Sequence, residues 1–256
     1  MNITRKRFLR VTGISVLAVA GEKLAGAFAG AMQTTPSLPQ ALTASRWAMT
    51  VDLNKCAQKE GCIKCIEACH SVHNVPDSGH RTHRIEWIWK ASFGNAFPSQ
   101  QDEYPSTTVK DARVPLFCNH CDNPPCVRVC PTQATWKRND GIVMMDWHRC
   151  IGCRYCMAAC PYGSRSFNWT DPRPHLAHQD PDFPTRTKGV VEKCNFCEER
   201  LAKGELPACV KACPQDAMAF GDLGDPNSQV RRLLRSRYAI RRKPELGTKP
   251  EVFYIV

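Results

Sequence analysis

Residues 150–161, Cys150-Ile-Gly-Cys153-Arg-Tyr-Cys156-Met-Ala-Ala-Cys160-Pro161, leave the chain little freedom in what it can become. The spacing C-x2-C-x2-C-x3-C-P lets a tight loop wrap three thiolates around one 4Fe-4S cubane and send the fourth to a neighbouring one. Three more runs surround it: Cys118-x2-Cys121-x4-Cys126-x3-Cys130-Pro131, Cys194-x2-Cys197-x11-Cys209-x3-Cys213-Pro214, and Cys56-x5-Cys62-x2-Cys65-x3-Cys69. Together they use all 16 cysteines of the 256 residues, so four 4Fe-4S clusters are the expected cofactors.

Two other four-cysteine chemistries compete. A disulfide scaffold would explain a cysteine-rich chain, but disulfide pairing gives no reason for the same x2, x3, Pro grammar to recur. Structural zinc uses paired C-x2-C motifs, yet four C-x3-C closures, three followed by proline, fit cubanes better. Cys65-x3-Cys69-His70 also approximates a haem c attachment site, normally C-x-x-C-H. The gap is one residue too long, and the first run needs both cysteines.

Three cysteines two residues apart on a curled loop can reach three corners of one cube, while a residue four positions on has turned towards the next. For the central runs this groups Cys150, Cys153, Cys156 with Cys130, and Cys118, Cys121, Cys126 with Cys160. The nested order of the outer runs groups Cys194, Cys197, Cys209 with Cys69, and Cys56, Cys62, Cys65 with Cys213. Lys64, His120, Arg154 and Asn195 lie between ligands, where charge and hydrogen bonds tune potential unless they merely face solvent. The first run departs twice from the pattern: five residues separate Cys56 from Cys62, and His70 stands where the others have proline.

The formal charge of +11 would ordinarily suggest nucleic acid or an acidic membrane as partner. Residues 1–29 carry Arg5, Lys6, Arg7, Arg10 and Lys23 against Glu22, a net of four positive charges. Four oxidised clusters with their thiolates add about eight negative charges. The mature, loaded chain is then nearly neutral, and a nucleic acid is not expected.

Residues 1–31 read as an export signal. Thr4-Arg5-Lys6-Arg7-Phe8-Leu9-Arg10 approximates the twin-arginine pattern with Lys6 in place of the second arginine, followed by the apolar stretch 11–20 and small-residue cleavage candidates between Ala27 and Ala31. The apolar stretch is broken by Glu22-Lys23, and no later stretch could span a bilayer, so membrane contact is expected only through partners.

The expected fold class is α+β, with tandem ferredoxin-like domains related by a pseudo-twofold and long insert loops. Strands are expected at 47–53, 218–220 and 252–256, and a hairpin over 134–146 with Asp140-Gly141 at its turn. Residues 172–184, rich in Pro and Asp, read as a loop. Asn227 or Ser228 can cap a helix over 229–236 whose arginines form a solvated face. The boundaries are 1–31 for the signal, 47–225 for the four-cluster region and 226–256 for a C-terminal helix-and-strand extension. Residues 70–117 form a ligand-free insert holding His70, His73, His80, His83, Trp87 and Trp89; it is expected to present surface histidines and to dock a partner.

With these motifs in place, the chain resembles the four-cluster electron-transfer subunits that accompany periplasmic polysulfide, tetrathionate and nitrite reductases and some hydrogenases, over residues 47–225. More narrowly, 69–76, 85–89, 118–126, 141–146, 190–197 and 220–228 resemble the DsrO family, HmeA in some archaea, the periplasmic iron-sulfur subunit of the DsrMKJOP complex of dissimilatory sulfur metabolism. The resemblance implies a place on the periplasmic face of the membrane, docked to an NrfD-type integral quinone-handling subunit, with a multihaem cytochrome c and the other complex subunits as neighbours. An electron-transfer subunit serving a molybdenum reductase or hydrogenase is the alternative. The sequence carries no Rossmann glycines, phosphate loop or nucleophile elbow, so no catalytic residue is assigned.

Overall fold

The first strand among the described residues, β1 (Trp47–Asp52), has every residue buried and lies inside a four-stranded sheet, between strands Met218–Asp222 and Val252–Ile255. A strand covered on both faces and flanked on both edges is the site around which a core is built. In the computed structural model, which describes residues 40–100 and 113–256, the compact unit runs from Gln40 to Val256. Residues 1–31, where an export signal is expected, and residues 101–112 of the insert lie outside the described residues.

Asp52 ends β1 and caps α1 (Leu53–Ala57), its Oδ1 accepting from the Lys55 amide at 3.0 Å. Then follow α2 (Lys64–Val72), β2 (Ile88–Ser92), α3 (Phe93–Ala96), β3 (Arg113–Phe117), α4 (Pro125–Arg128), β4 (Thr135–Lys137), β5 (Val143–Met145), α5 (Tyr155–Ala158), β6 (Ser166–Phe167), β7 (Val191–Glu192), α6 (Glu198–Leu201), α7 (Ala208–Lys211), β8 (Met218–Asp222), α8 (Gln229–Ser236), β9 (Ala239–Ile240) and β10 (Val252–Ile255). The content is α+β, and among the described residues no helix is long and apolar enough to cross a membrane.

Strands pair antiparallel as β2 with β3, β4 with β5, β6 with β7 and β8 with β1, while β10 runs parallel to β1. The β4–β5 hairpin turns at Gly141, whose φ of 87° is the left-handed value such a turn needs. The C-terminal strand thus completes the same sheet that the first strand begins, and Ser228 caps α8 through the Arg231 amide. Alternation along β1 sends Met49 and Val51 into the main core and Ala48 towards Val230 of α8 and Phe253 of β10. Trp47 stacks on Phe220 of β8 with centroids 4.9 Å apart.

The insert is the largest departure from expectation. Ile85, Trp87, Ile88, Phe93, Ala96, Phe97, Val114, Leu116 and Phe117 are all in the main core. Tyr254 at the far end of the chain packs edge-on against Phe97. His70 and His73 are not surface groups as expected. His73 is 1% exposed and stacks on Trp87 at 4.6 Å, because α2 turns that side inward. His80 is exposed and His83 half-buried.

A buried ion pair fixes the last part of this layer. Arg186 and Glu192 meet at 2.7 Å, and Trp87 Nε1 donates to the same carboxylate at 3.0 Å. The Arg186 guanidinium also donates to the backbone carbonyls of His73 and Asn74, tying β7 to the C-terminal end of α2.

Candidate metal centres

Each cysteine run is one copy of a local device. The residue before the second cysteine is left-handed in all four: Gly61 (φ 66°), His120 (41°), Gly152 (69°) and Phe196 (58°). That inversion curls the backbone so that cysteines three apart point to a common centre, and only Gly adopts it without steric cost. A short helix, α4, α5 or α7, then presents the third cysteine of the later runs, Cys126, Cys156 or Cys209.

Those helices end at Arg128, Ala158 and Lys211, two residues before each closing cysteine, and Pro131, Pro161 and Pro214 keep the chain from resuming them. The chain turns at once: Gln133 N bonds to Cys130 O, Gly163 N to Cys160 O, and Asp216 N to Cys213 O, at 3.2–3.4 Å. Gln133, Gly163 and Asp216 are all left-handed. In the first run His70 replaces the proline, so α2 continues through Cys69 to Val72 and the left-handed residue falls at Asn74. That continuation carries His73 inward.

The sulfurs gather as four quartets. Cys118, Cys121, Cys126 and Cys160 line one cavity together with Arg165 and Tyr162. Cys130, Cys150, Cys153 and Cys156 line a second with Met145 and Val191. Cys69 lies in the electrostatic field of Cys194, Cys197 and Cys209, and Cys65 in that of Cys56, Cys62 and Cys213. Neighbouring quartets are coupled in turn, through Cys65 with Cys69 and Cys209, Cys194 with Cys118, and Cys126 with Cys156. The quartets therefore form a row: Cys56, Cys69, Cys118, Cys130. Cys65 and Cys69 serve different quartets, which is not the arrangement of a haem attachment pair.

The donor set tests what could bind here. All 16 cysteines are free thiols. Burial, reinforced by neighbouring thiolates, pushes Cys65 up to about 11 and Cys121 and Cys194 up to about 12, and raises Cys69 and Cys197 well above the ordinary thiol value. Cys130 goes the other way: its burial is outweighed by hydrogen bonds from the Thr135, Ala134 and Thr132 amides and the Thr132 hydroxyl. Backbone N–H groups of Phe196, Ala208 and Ala217 also point at Cys194, Cys197 and Cys213. Quartets of buried and half-buried thiols, with amides aimed at sulfur, suit a multiply charged metal centre, which would displace the protons and hold the thiolates.

The residues between ligands divide. Lys64 is exposed and pairs with Glu67 at 2.8 Å, and Arg154 lies on the surface over the Trp169 ring. His120 is 1% exposed, stacked on Phe196 at 3.7 Å, with Nδ1 accepting from Val143 N. Burial, with Lys193 and Arg165 nearby, drives its pKa down, so it is a neutral imidazole. Asn195 is buried and accepts from Cys197 N while donating to Glu199.

Sequence reasoning missed three polar groups beside the ligands. His73 bridges the Cys69 carbonyl at 2.8 Å and the Glu199 carboxylate at 2.9 Å. His73, Cys197 and Glu199 present ligand-type atoms within 4.8 Å of one another, but they belong to the hydrogen-bonded surroundings of the Cys69 quartet. Arg165 and Lys193 are buried cations among the quartets. The sequence signal for Lys193 was its place directly before Cys194; Arg165 had none.

Known proteins share this plan. Residues 109–174 and 181–223 match the model of the 4Fe-4S dicluster domain. The chain is 41% identical over 272 residues to the Hdr-like menaquinol oxidoreductase iron-sulfur subunit 1 of Archaeoglobus fulgidus, covering 98% of this chain and 97% of that one. It is 37% identical over 257 residues to a tetrathionate reductase subunit of Salmonella typhimurium, covering 100% and 89%. It is 38% identical over 213 residues to a polysulfide reductase chain of Wolinella succinogenes, covering 83% and 95%. The cofactors of this chain are multiple 4Fe-4S clusters.

Proposed function

From the family to which the protein belongs, the 4Fe-4S iron-sulfur subunits of oxidoreductase complexes, we propose that it is a four-cluster electron wire in a membrane-bound complex of dissimilatory sulfur metabolism, the role of DsrO and HmeA. When bound, each cubane carries one electron, and all 16 cysteines, in the quartets described, are the iron ligands. The observation that carries this reading is the gathering of all 16 cysteines into four adjacent quartets, with closing cysteines exchanged between runs.

The chain's own residues hold the thiolates, aim amides at them and exclude water from the interior quartets. Electrons enter and leave through partners: an NrfD-type integral subunit in contact with the quinone pool, a multihaem cytochrome c and the remaining DsrMKJOP subunits. The quinone side is supported by the Archaeoglobus relative, a menaquinol oxidoreductase subunit similar from end to end. Residues 1–31 direct the folded, loaded protein across the membrane, so its place is periplasmic and its membrane contact is borrowed.

The test is iron and acid-labile sulfide per chain on anaerobically isolated protein, with EPR of the reduced state. About 16 of each, with spin-coupled signals, is the expected result; zinc, or no metal, overturns the reading. Periplasmic fractionation and co-purification with an integral quinone-binding subunit test the placement, and a cytoplasmic, unpartnered protein refutes it.

A further inference from the structure

Two positive charges are sealed among the quartets, and both reach the same one. Arg165, 5% exposed, lines the cavity of the Cys118 quartet. Its Nη2 donates to Thr135 Oγ1 at 2.9 Å, and its Nη1 points at Met145 Sδ at 3.7 Å. Met145 lines the cavity of the Cys130 quartet, so the guanidinium lies between the two. Lys193, 1% exposed, donates from Nζ to the carbonyl of Cys194, in the Cys69 quartet, at 2.7 Å. It also donates to the carbonyl of Val143, which lines the cavity of the Cys118 quartet. The ammonium lies at the other junction.

The remaining quartets are provided for differently. In the Cys69 quartet the shared Lys193 is opposed by a carboxylate, Glu199, held by His73 and Asn195. The Cys56 quartet has Lys90 in its field, a residue that also lines the open surface cleft beside Cys62.

We propose that Arg165 and Lys193 are potential-setting residues that make the Cys118 quartet the electron well of the row, the first site to be reduced. The inference rests on the electron-wire reading. Adding an electron adds a negative charge, and a buried cation stabilises it more than a solvated one because little water screens the interaction. Two such cations flank the Cys118 quartet, one is shared with each neighbour, and neither terminal quartet has two. A wire with its well at an interior position holds an electron away from both ends until a partner with a higher potential docks.

The test is an EPR-monitored potentiometric titration of the loaded protein as wild type, Arg165→Gln, Arg165→Lys, Lys193→Met and Lys193→Gln. Each charge-removing variant should lower the highest-potential midpoint by at least tenfold in the reduction equilibrium, about 59 mV for one electron. Both sites should move the same signal, and Arg165→Lys should restore it. In unmodified protein that signal should split as neighbours on two sides are reduced, because its quartet is interior. Full iron with unmoved midpoints, different signals moved by the two sites, or a first signal coupled on one side only would overturn the inference and leave the wire intact. Wild-type protein without iron would overturn the wire itself.

Discussion

The carboxylate of Glu192 meets the guanidinium of Arg186 at 2.7 Å with both side chains at 0% exposure. The pair sits among Trp87, Trp147 and Phe183, where the guanidinium lies 5.5–5.8 Å from the ring centroids. Removing one partner of such a pair strands the other charge out of water, which costs about 3 to 5 kcal/mol. Glu192→Gln should lower stability to denaturant by that amount, and Arg186→Met with Glu192→Leu by less than the two single changes together. Equal losses for the double and the summed singles would show that the two do not interact.

Cys160 closes the third run but lines the cavity of Cys118, Cys121 and Cys126. Cys160→Ser should therefore alter the EPR signal and iron content of the Cys118 quartet, lowering iron from about 16 towards about 12. The signal of the quartet holding Cys150, Cys153 and Cys156 should persist. Loss of that signal instead would assign Cys160 to its own run.

Gly152 is the position where the loop leaves least room. Its φ is 69°, and an added Cβ would collide with the Gly189 carbonyl and come within 3.2 Å of the Phe167 ring. The left-handed strain alone costs about 1 to 2 kcal/mol for a residue with a Cβ. Gly152→Ala should deplete the Cys130 quartet selectively, read as a loss of about four iron atoms with the other signals retained.

Burial pushes the His70 imidazole down to about 4 from 6.5, against a smaller opposing hydrogen bond at Ile88. Between those values the unfolded chain takes up a proton that the folded one refuses. Stability from this group is therefore complete above about pH 6.5 and is lost as pH falls towards 4. The full amount is about 3 kcal/mol, of which about 2 is gone at pH 5. Compared by chemical denaturation at pH 7.5 and pH 5, His70→Gln should show a shallower loss than wild type; parallel losses would place the pH dependence elsewhere.

Much of this was legible in the spacing of the cysteines. The closing Cys-Pro pairs keep the short helices from resuming, and Asp140-Gly141 fixes the hairpin turn. The strands at 47, 218 and 252 and the Ser228 cap follow from local alternation and capping chemistry. What was hidden depends on long-range packing. No local signal told that β10 would run parallel to β1, because the crossover between them is the whole cluster region. The insert read as polar and open because its histidines are numerous, whereas Trp87, Phe93 and Phe97 carry it into the core. Arg165 looked like any surface arginine, since burial of a charge becomes intelligible only once its thiolate neighbours are in place.

The pairing of β1 with β8 and β10 also sets a timetable. The Cys118 and Cys130 quartets take all their cysteines from residues 118–160. The Cys69 quartet waits for Cys209, the Cys56 quartet for Cys213, and the sheet for Ile255 opposite Asp52. Residues 252–255 must have been synthesised before β1 can find its parallel neighbour. Until then β1 has only β8 beside it, and deletion of residues 252–256 should leave the two outer quartets, not the two central ones, without support.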